Sequence, residues 1–452
     1  VASPVPIEHR RGTIIWGLGL TQIIGYGTLY YSFSILAPEM AKDLDWTQEW
    51  VFGVFSAALL IGGFAAPTIG RRIDRHGAGT MMALGSLVAA SSLVVCALAP
   101  DRLTFVAGMI TMEIASAFVL YNAAFAALVQ ITPQTGQKSI THLTLIAGFA
   151  STLFWPITTE LHEHLTWRQI YLAFAVLHLV VCLPFHCWLA RAMNADRRSN
   201  GKDMAKTAAV IEGSIASWDR RRAFTLMGLG FALEGFVLSA LLVHMVPLLT
   251  AVGLGASAVL VGTLFGPSQV FSRFINMLAG RGLSQLVLAV ISATLLVAAL
   301  STLLASAPWI YGAAAFAILF GLGSGLTSIV QGSLPLALFG SEGYGALLGR
   351  ISAIRLIVSA LAPFLFSVLM AHVGTWSALS ASIVLGIGAA AAFASIGWRP
   401  RSPELVPETG RQIEIFLNVA DEKSRNPFAK DTRALQVYVL VYARARNGRK
   451  YK

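Results

Sequence analysis

Gly70-Arg71-Arg72-Ile73-Asp74-Arg75-His76-Gly77 is a charged octet set between two apolar runs, 48–69 and 79–99. Each flanking run matches the ~20 residues a helix needs to cross the ~30 Å hydrocarbon core of a bilayer. The octet therefore reads as a tight polar turn between two membrane spans. Working outward, the same alternation of long apolar run and short polar punctuation recurs along the chain. Before the octet lies 12–37, and after it come 103–130, 138–160 and 169–190. A second set follows at 223–250, 256–279, 283–305, 308–337, 346–371 and 375–397. Pro156, Pro267, Pro335 and Pro363 sit inside these runs, which membrane helices tolerate.

Bulk composition agrees. Of 452 residues, 56% are hydrophobic and 12% charged, about half the charge of a soluble domain. The net charge of +11 would suit nucleic acid in another setting. Here the basic residues gather between apolar runs, as the positive-inside rule expects, so nucleic acid is excluded as a partner. With the N-terminus inside, one face receives Arg10, Arg11, Arg71, Arg72, Arg75, Lys138, Arg191, Arg197, Arg198, Lys202, Lys206 and Arg220 to Arg222. The other receives only Lys42, Arg102 and Arg168. Both termini are thus expected in the cytoplasm of a bacterial-type inner membrane, with the first run a true span rather than a cleaved leader. Cys96, Cys182 and Cys187 lie in apolar stretches without metal or disulfide spacing. No nucleotide loop or metal-binding His pair occurs, so neither an enzyme nor an ATP-driven pump is expected, and no cofactor or metal.

The fold class is an all-α polytopic membrane protein: twelve transmembrane helices in two six-helix, pseudo-symmetric bundles. The expected organisation is a cytoplasmic N-terminus (1–11), a first bundle (12–190), a basic linker (191–222), a second bundle (223–397), and a cytoplasmic, mostly disordered tail (398–452). An internal repeat supports the two halves. Phe154-Trp155-Pro156 with Thr166-Trp167 is echoed by Leu361-Ala362-Pro363 with Thr375-Trp376, and Ala124 to Leu128 by Leu334 to Leu338.

The octet also resembles the signature loop of the major facilitator superfamily, Gly-x-x-x-Asp-Arg-x-Gly, through Gly70, Asp74, Arg75 and Gly77. Ala78 and Gly79 stand where that family places basic residues. The resemblance covers 12–397 and implies a secondary transporter whose halves rock about a midplane site. It also implies a gating role for Gly70, Asp74, Arg75 and Gly77 in stabilising the outward-open state. Within the family, Gly25-Tyr26-Gly27 and Tyr31 to Pro38 look like the first helix of the monocarboxylate-porter and oxalate–formate branch. Gln269-Val270-Phe271-Ser272-Arg273 is similar to its Asp-x-x-x-Arg element, with Gln269 in place of the acid; there the Arg meets a substrate carboxylate.

Ionisable groups within spans are expensive and usually face a polar path. Glu113 and Glu234 fall near the midplane and are candidates for proton coupling; Arg273 and Arg355 are candidates for gripping an anion, the alternative for all four being interhelical ion pairs. Gln22, Tyr26, Tyr30, Asn122, Gln269 and Gln331 complete the expected solute-binding set, while His178 and His244 read as packing residues. The expected function is proton-coupled transport of a small, monocarboxylate-like organic anion by a monomer whose partners are its solute, protons and lipid. A proton-driven exporter of drug-like compounds and a non-transporting sensor using the basic tail are the alternatives.

Overall fold

In a bilayer the backbone polar groups must bond within the chain, so apolar runs of this length fold as helices. A computed structural model describes residues 11–200 and 210–397; the segment 1–10 and the tail 398–452, read above as cytoplasmic, lie outside the described residues. Eleven helices among the described residues are long and apolar enough to cross a membrane. They are α2 (Gln48–His76), α3 (Ala78–Ala97), α4 (Arg102–Ile131), α5 (Pro133–His164), α6 (Trp167–Ala195), α7 (Ser217–Leu254), α8 (Ser257–Ala279), α9 (Gln285–Ser306), α10 (Ile310–Phe339), α11 (Tyr344–His372) and α12 (Thr375–Gly397). The twelfth span is the first in the chain, α1. It runs as Arg11–Tyr26, a π-helical turn Gly27–Tyr31, and Phe33–Asp43. Ser32 between them keeps helical dihedrals, φ −64° and ψ −28°, so the path through the membrane is unbroken.

Span order is repeated in space. α1 packs on α5, α2 on α4, and α3 on both α4 and α6; correspondingly α7 packs on α11, α8 on α10, and α9 on both α10 and α12. Each helix of the first half thus has its counterpart six spans later, the two-bundle arrangement that the repeated motifs implied. One apolar core, which includes Leu18, Phe105, Phe125 and Phe174, fills the first half. Two others, around Leu241 and Phe316 and around Phe231 and Phe393, fill the second.

Boundaries differ from the sequence reading where charge misled it. α2 runs through the octet to His76 rather than stopping at 69, because Arg71, Arg72 and Arg75 reach water from a helix that extends past the hydrocarbon. The helix of α6 likewise runs to Asn200. The end of the linker is ordered as well: Glu212 and Gly340 form an antiparallel bridge, and the Ser214 and Ile215 amides bond the Ala337 and Leu338 carbonyls at 3.0 and 3.1 Å. Gly340 takes φ +85° there, a left-handed conformation that glycine adopts without a Cβ penalty.

Candidate solute site and gate

Where the halves meet, they are closely packed at the octet end. Small residues make this possible. A Cβ on Gly70 would overlap the Gly345 carbonyl, and one on Gly349 the Ala66 carbonyl, so α2 and α11 approach backbone to backbone. Asp74 then closes the seam. Its Oδ1 accepts from the Gly345 amide at 2.9 Å and its Oδ2 from the Ala346 amide at 2.7 Å. A carboxylate on the first amides of α11 satisfies donors that no helical carbonyl can reach and faces the positive end of the helix dipole. Arg75 is exposed and bonds no described residue, while Gly77 takes φ +88° between α2 and α3. Nearby, Ser352 Oγ donates to Asn122 Oδ1 at 3.1 Å across the same seam, so Asn122 serves the joint between halves in this state.

Deeper in, tyrosines line the space between the halves. Tyr26 lies 4.7 Å from Tyr121, Tyr30 is edge-on to Tyr31 at 5.4 Å, and Tyr31 is edge-on to Trp155 at 6.1 Å, all between ring centroids. Tyr30 remains 44% exposed, so the neighbouring helices do not close over its ring. Arg355, on α11, interacts electrostatically with Tyr26, Tyr30 and Glu234. Its stem lies against α7, where a Cβ on Gly235 would stand 2.8 Å from Arg355 Cγ. The Arg355 side chain is only half-buried, and among the described residues its guanidinium has no hydrogen-bond or ion-pair partner.

Arg273 is the opposite case. It is 3% exposed, and each of its guanidinium nitrogens has an acceptor: Nε the Gly325 carbonyl at 3.4 Å, Nη1 the Thr144 carbonyl at 3.1 Å, and Nη2 Ser328 Oγ at 2.9 Å. Gln269, one turn away, donates to Ser324 Oγ at 2.8 Å within the second half.

The two carboxyls are buried. Glu234, 1% exposed, accepts at Oε1 from Ser292 Oγ at 2.8 Å and Thr327 Oγ1 at 2.7 Å, and its Oε2 has no partner. Glu113 is 6% exposed with Oε1 unpartnered. Neither forms an ion pair with a described residue. The remaining expected residues fall elsewhere. Gln22 donates to the Val119 carbonyl at 2.7 Å, where α4 breaks at Leu120, and Gln331 is half-buried without a described bond. His178 bonds the Thr28 hydroxyl at 2.9 Å, which joins the π turns of α1 and α6, and His244 bonds the Ala240 carbonyl within α7.

A twelve-helix body with repeated halves, sealed at one end by an aspartate on a helix start, is the frame of an alternating-access carrier. The family profile described as Major Facilitator Superfamily matches residues 18–363. This chain belongs to the major facilitator superfamily. No curated protein matches it by sequence. Solved structures of the superfamily share its fold at low identity. The human organic anion transporter MFSD10 (TETRAN) superposes with a TM-score of 0.67 at 15% identity, covering 86% of this chain and 100% of that one. The proton:xylose symporter XylE, bound to 6-bromo-6-deoxy-D-glucose, gives 0.64 at 12% identity, covering 85% and 96%. FucP in the outward conformation gives 0.62 at 13% identity, covering 84% and 98%. As a major facilitator protein the chain is a multi-pass membrane transporter and not an enzyme.

The sequence reading missed Tyr31, Tyr121, Trp155, Ser292 and Thr327. Tyr31 and Tyr121 directly adjoin residues that were singled out, Tyr30 and Asn122, and polar aromatics inside spans were the available signal. Ser292 and Thr327 carry none, because hydroxyls inside membrane helices usually bond their own helix.

Proposed function

We propose that this major facilitator protein carries a small organic anion, held at Arg355. The observation that carries the reading is the half-buried Arg355 side chain beside Tyr26 and Tyr30, its guanidinium without an acceptor among the described residues. A guanidinium presents a planar fork that fits a carboxylate at two points, and tyrosine hydroxyls at Tyr26 and Tyr30 are suited to hydrogen-bond the same oxygens. The fold shared with a human organic anion transporter is consistent with this cargo. Arg355 takes precedence over Arg273 because each guanidinium nitrogen of Arg273 already has a protein acceptor.

Coupling to protons belongs to the same reading. Glu113 and Glu234 each leave one buried oxygen where a proton can sit, one in each half, and both interact electrostatically with the proposed anion site, Glu113 with Tyr30 and Glu234 with Arg355. The positive-inside rule favours a cytoplasmic position for the basic octet; on this reading the sealed end faces the cytoplasm, the state is outward-open, and the carrier works as a monomer in a bacterial-type inner membrane. The test is uptake of labelled small monocarboxylates by proteoliposomes under an imposed proton gradient. Arg355→Gln loses the charge-assisted bonds, of about 1.5–3 kcal/mol each, so uptake at low solute concentration should fall about 10- to 100-fold. Undiminished uptake in that variant would remove Arg355, and with it the anion, from the reading.

A further inference from the structure

We propose that Gly148 is the positioning residue for Arg273, and that the Arg273–Thr144 contact it permits is a latch holding the two halves together in the outward-open state. α5 is interrupted at this point. Its first α-helical segment, Gly136–Ala147, ends at Gly148, and the next begins at Ala150. The interruption leaves helix-end carbonyls in the interior, the negative end of a helix dipole. The Thr144 carbonyl accepts the Gly148 amide at 3.0 Å, the last bond of that turn. Its second lone pair takes Arg273 Nη1, from α8 of the other half, at 3.1 Å.

The guanidinium reaches that carbonyl only because residue 148 has no side chain. A Cβ there would overlap Arg273 Nη1 and would stand 3.2 Å from the Thr144 and Leu145 carbonyls. The requirement is for space alone: Gly148 has φ −60° and ψ −21°, a conformation open to any residue. Within its own half Arg273 is tethered through Nε and Nη2 to Gly325 and Ser328 of α10, so a shift of Nη1 away from residue 148 gives up the Thr144 bond or loosens these two. The C-terminal half therefore presents a fixed cation, and the N-terminal half a helix end shaped to receive it. Separating the halves at the sealed end must break this bond and leave a buried cation short of one acceptor, which favours the joined state. Asp74 on the α11 amides is a second contact between the halves with opposite polarity, an acid of the first half on a helix start of the second.

The inference does not depend on which solute is carried, and its test uses none. In the full chain with Cys187→Ala, spin labels are placed at two exposed positions of the open end, Leu103→Cys at the start of α4 and Tyr311→Cys at the start of α10. Their distance distribution is read in lipid nanodiscs by pulsed electron–electron resonance. Gly148→Ala is expected to shift the population from the long to the short distance by about tenfold in ratio, the size of a helix-end charge interaction. Arg273→Gln is expected to do the same. The double variant is expected to match the single ones, since both remove one contact. Arg273→Lys added to Gly148→Ala, which exchanges the broad fork for a narrower ammonium, is expected to restore part of the long-distance population and shows that the alanine chain is folded. An unchanged distribution in Gly148→Ala, or additive shifts in the double variant, would overturn the latch. If anion uptake proves absent while these shifts occur, the anion reading falls and the latch stands.

Discussion

Asp74→Asn should loosen the sealed end by a calculable amount. The carboxylate uses both oxygens, one on the Gly345 amide and one on the Ala346 amide. An asparagine keeps one acceptor and turns an NH2 group toward the other donor, so one bond is lost and an amide is left facing a like group. A hydrogen bond to a charged group contributes about 1.5–3 kcal/mol, and a charge at a helix start about 0.3–1 kcal/mol more. Asp74 is half-buried, so the lower end of both ranges applies, about 2 kcal/mol. That is about a 30-fold shift toward states open at the octet end. The assay is the rate at which a water-soluble maleimide modifies Ser352→Cys. Residue 352 is 7% exposed and faces Asn122 in the seam, so the thiol reacts only when the halves part. Against the same cysteine in an otherwise native chain with Cys187→Ala, Asp74→Asn should raise the rate about 30-fold. A rate unchanged within about twofold, in protein that remains monodisperse, would refute the argument that these bonds hold the seam.

Three further outcomes follow from the geometry. Gly70→Ala should impair transport and raise the same maleimide rate, because its Cβ meets the Gly345 backbone, whereas Gly53→Ala, with nothing within 4 Å of its Cβ, should leave both unchanged. Glu234→Gln keeps an oxygen for Ser292 and Thr327 but has no proton to give, so gradient-driven accumulation should be lost while solute exchange at equal pH persists, as measured in proteoliposomes. Asp101 caps α4 outside the membrane, and the Thr104 amide and hydroxyl hold its carboxyl below the usual carboxylate range. Its folded value is depressed, so the stability it contributes is present above the unfolded value and disappears as pH falls through the folded one. Asp101→Ala should accordingly lower the unfolding temperature at neutral pH, and the difference from the native chain should vanish well below about pH 4.

Much of this architecture was legible in the residues themselves. Span-length apolar runs can only be helices in lipid, and the charged octet stood out because its surroundings carry almost no charge. Helix ends were less legible, since Arg71 and Arg75 look like a loop from composition yet continue α2 into water. The π turns at Gly27–Tyr31 and His178–Cys182 leave no mark in hydropathy, and the first divides α1 so that none of its pieces has span length. At the site, sequence marks Arg273 and Arg355 alike as costly intramembrane cations. What separates them is partnership: Arg273 meets Thr144, 129 positions away, whereas Arg355 meets no acceptor among the described residues. Pairings at that sequence separation depend on how the halves dock, which no local pattern encodes. Gly148 was invisible for the same reason, because its role is to leave room for a side chain from another bundle.

The central claim, an anion held by Arg355, is tested most directly by equilibrium binding to the purified protein with matched solutes. A panel of small carboxylates is titrated beside their neutral amides, and the shift in unfolding temperature is recorded for the native chain and for Arg355→Gln. The account predicts that one or more carboxylates stabilise the native chain, that the corresponding amides do not, and that the effect is lost in Arg355→Gln. Stabilisation by amides as strong as by acids, or a carboxylate effect that survives Arg355→Gln, would contradict it.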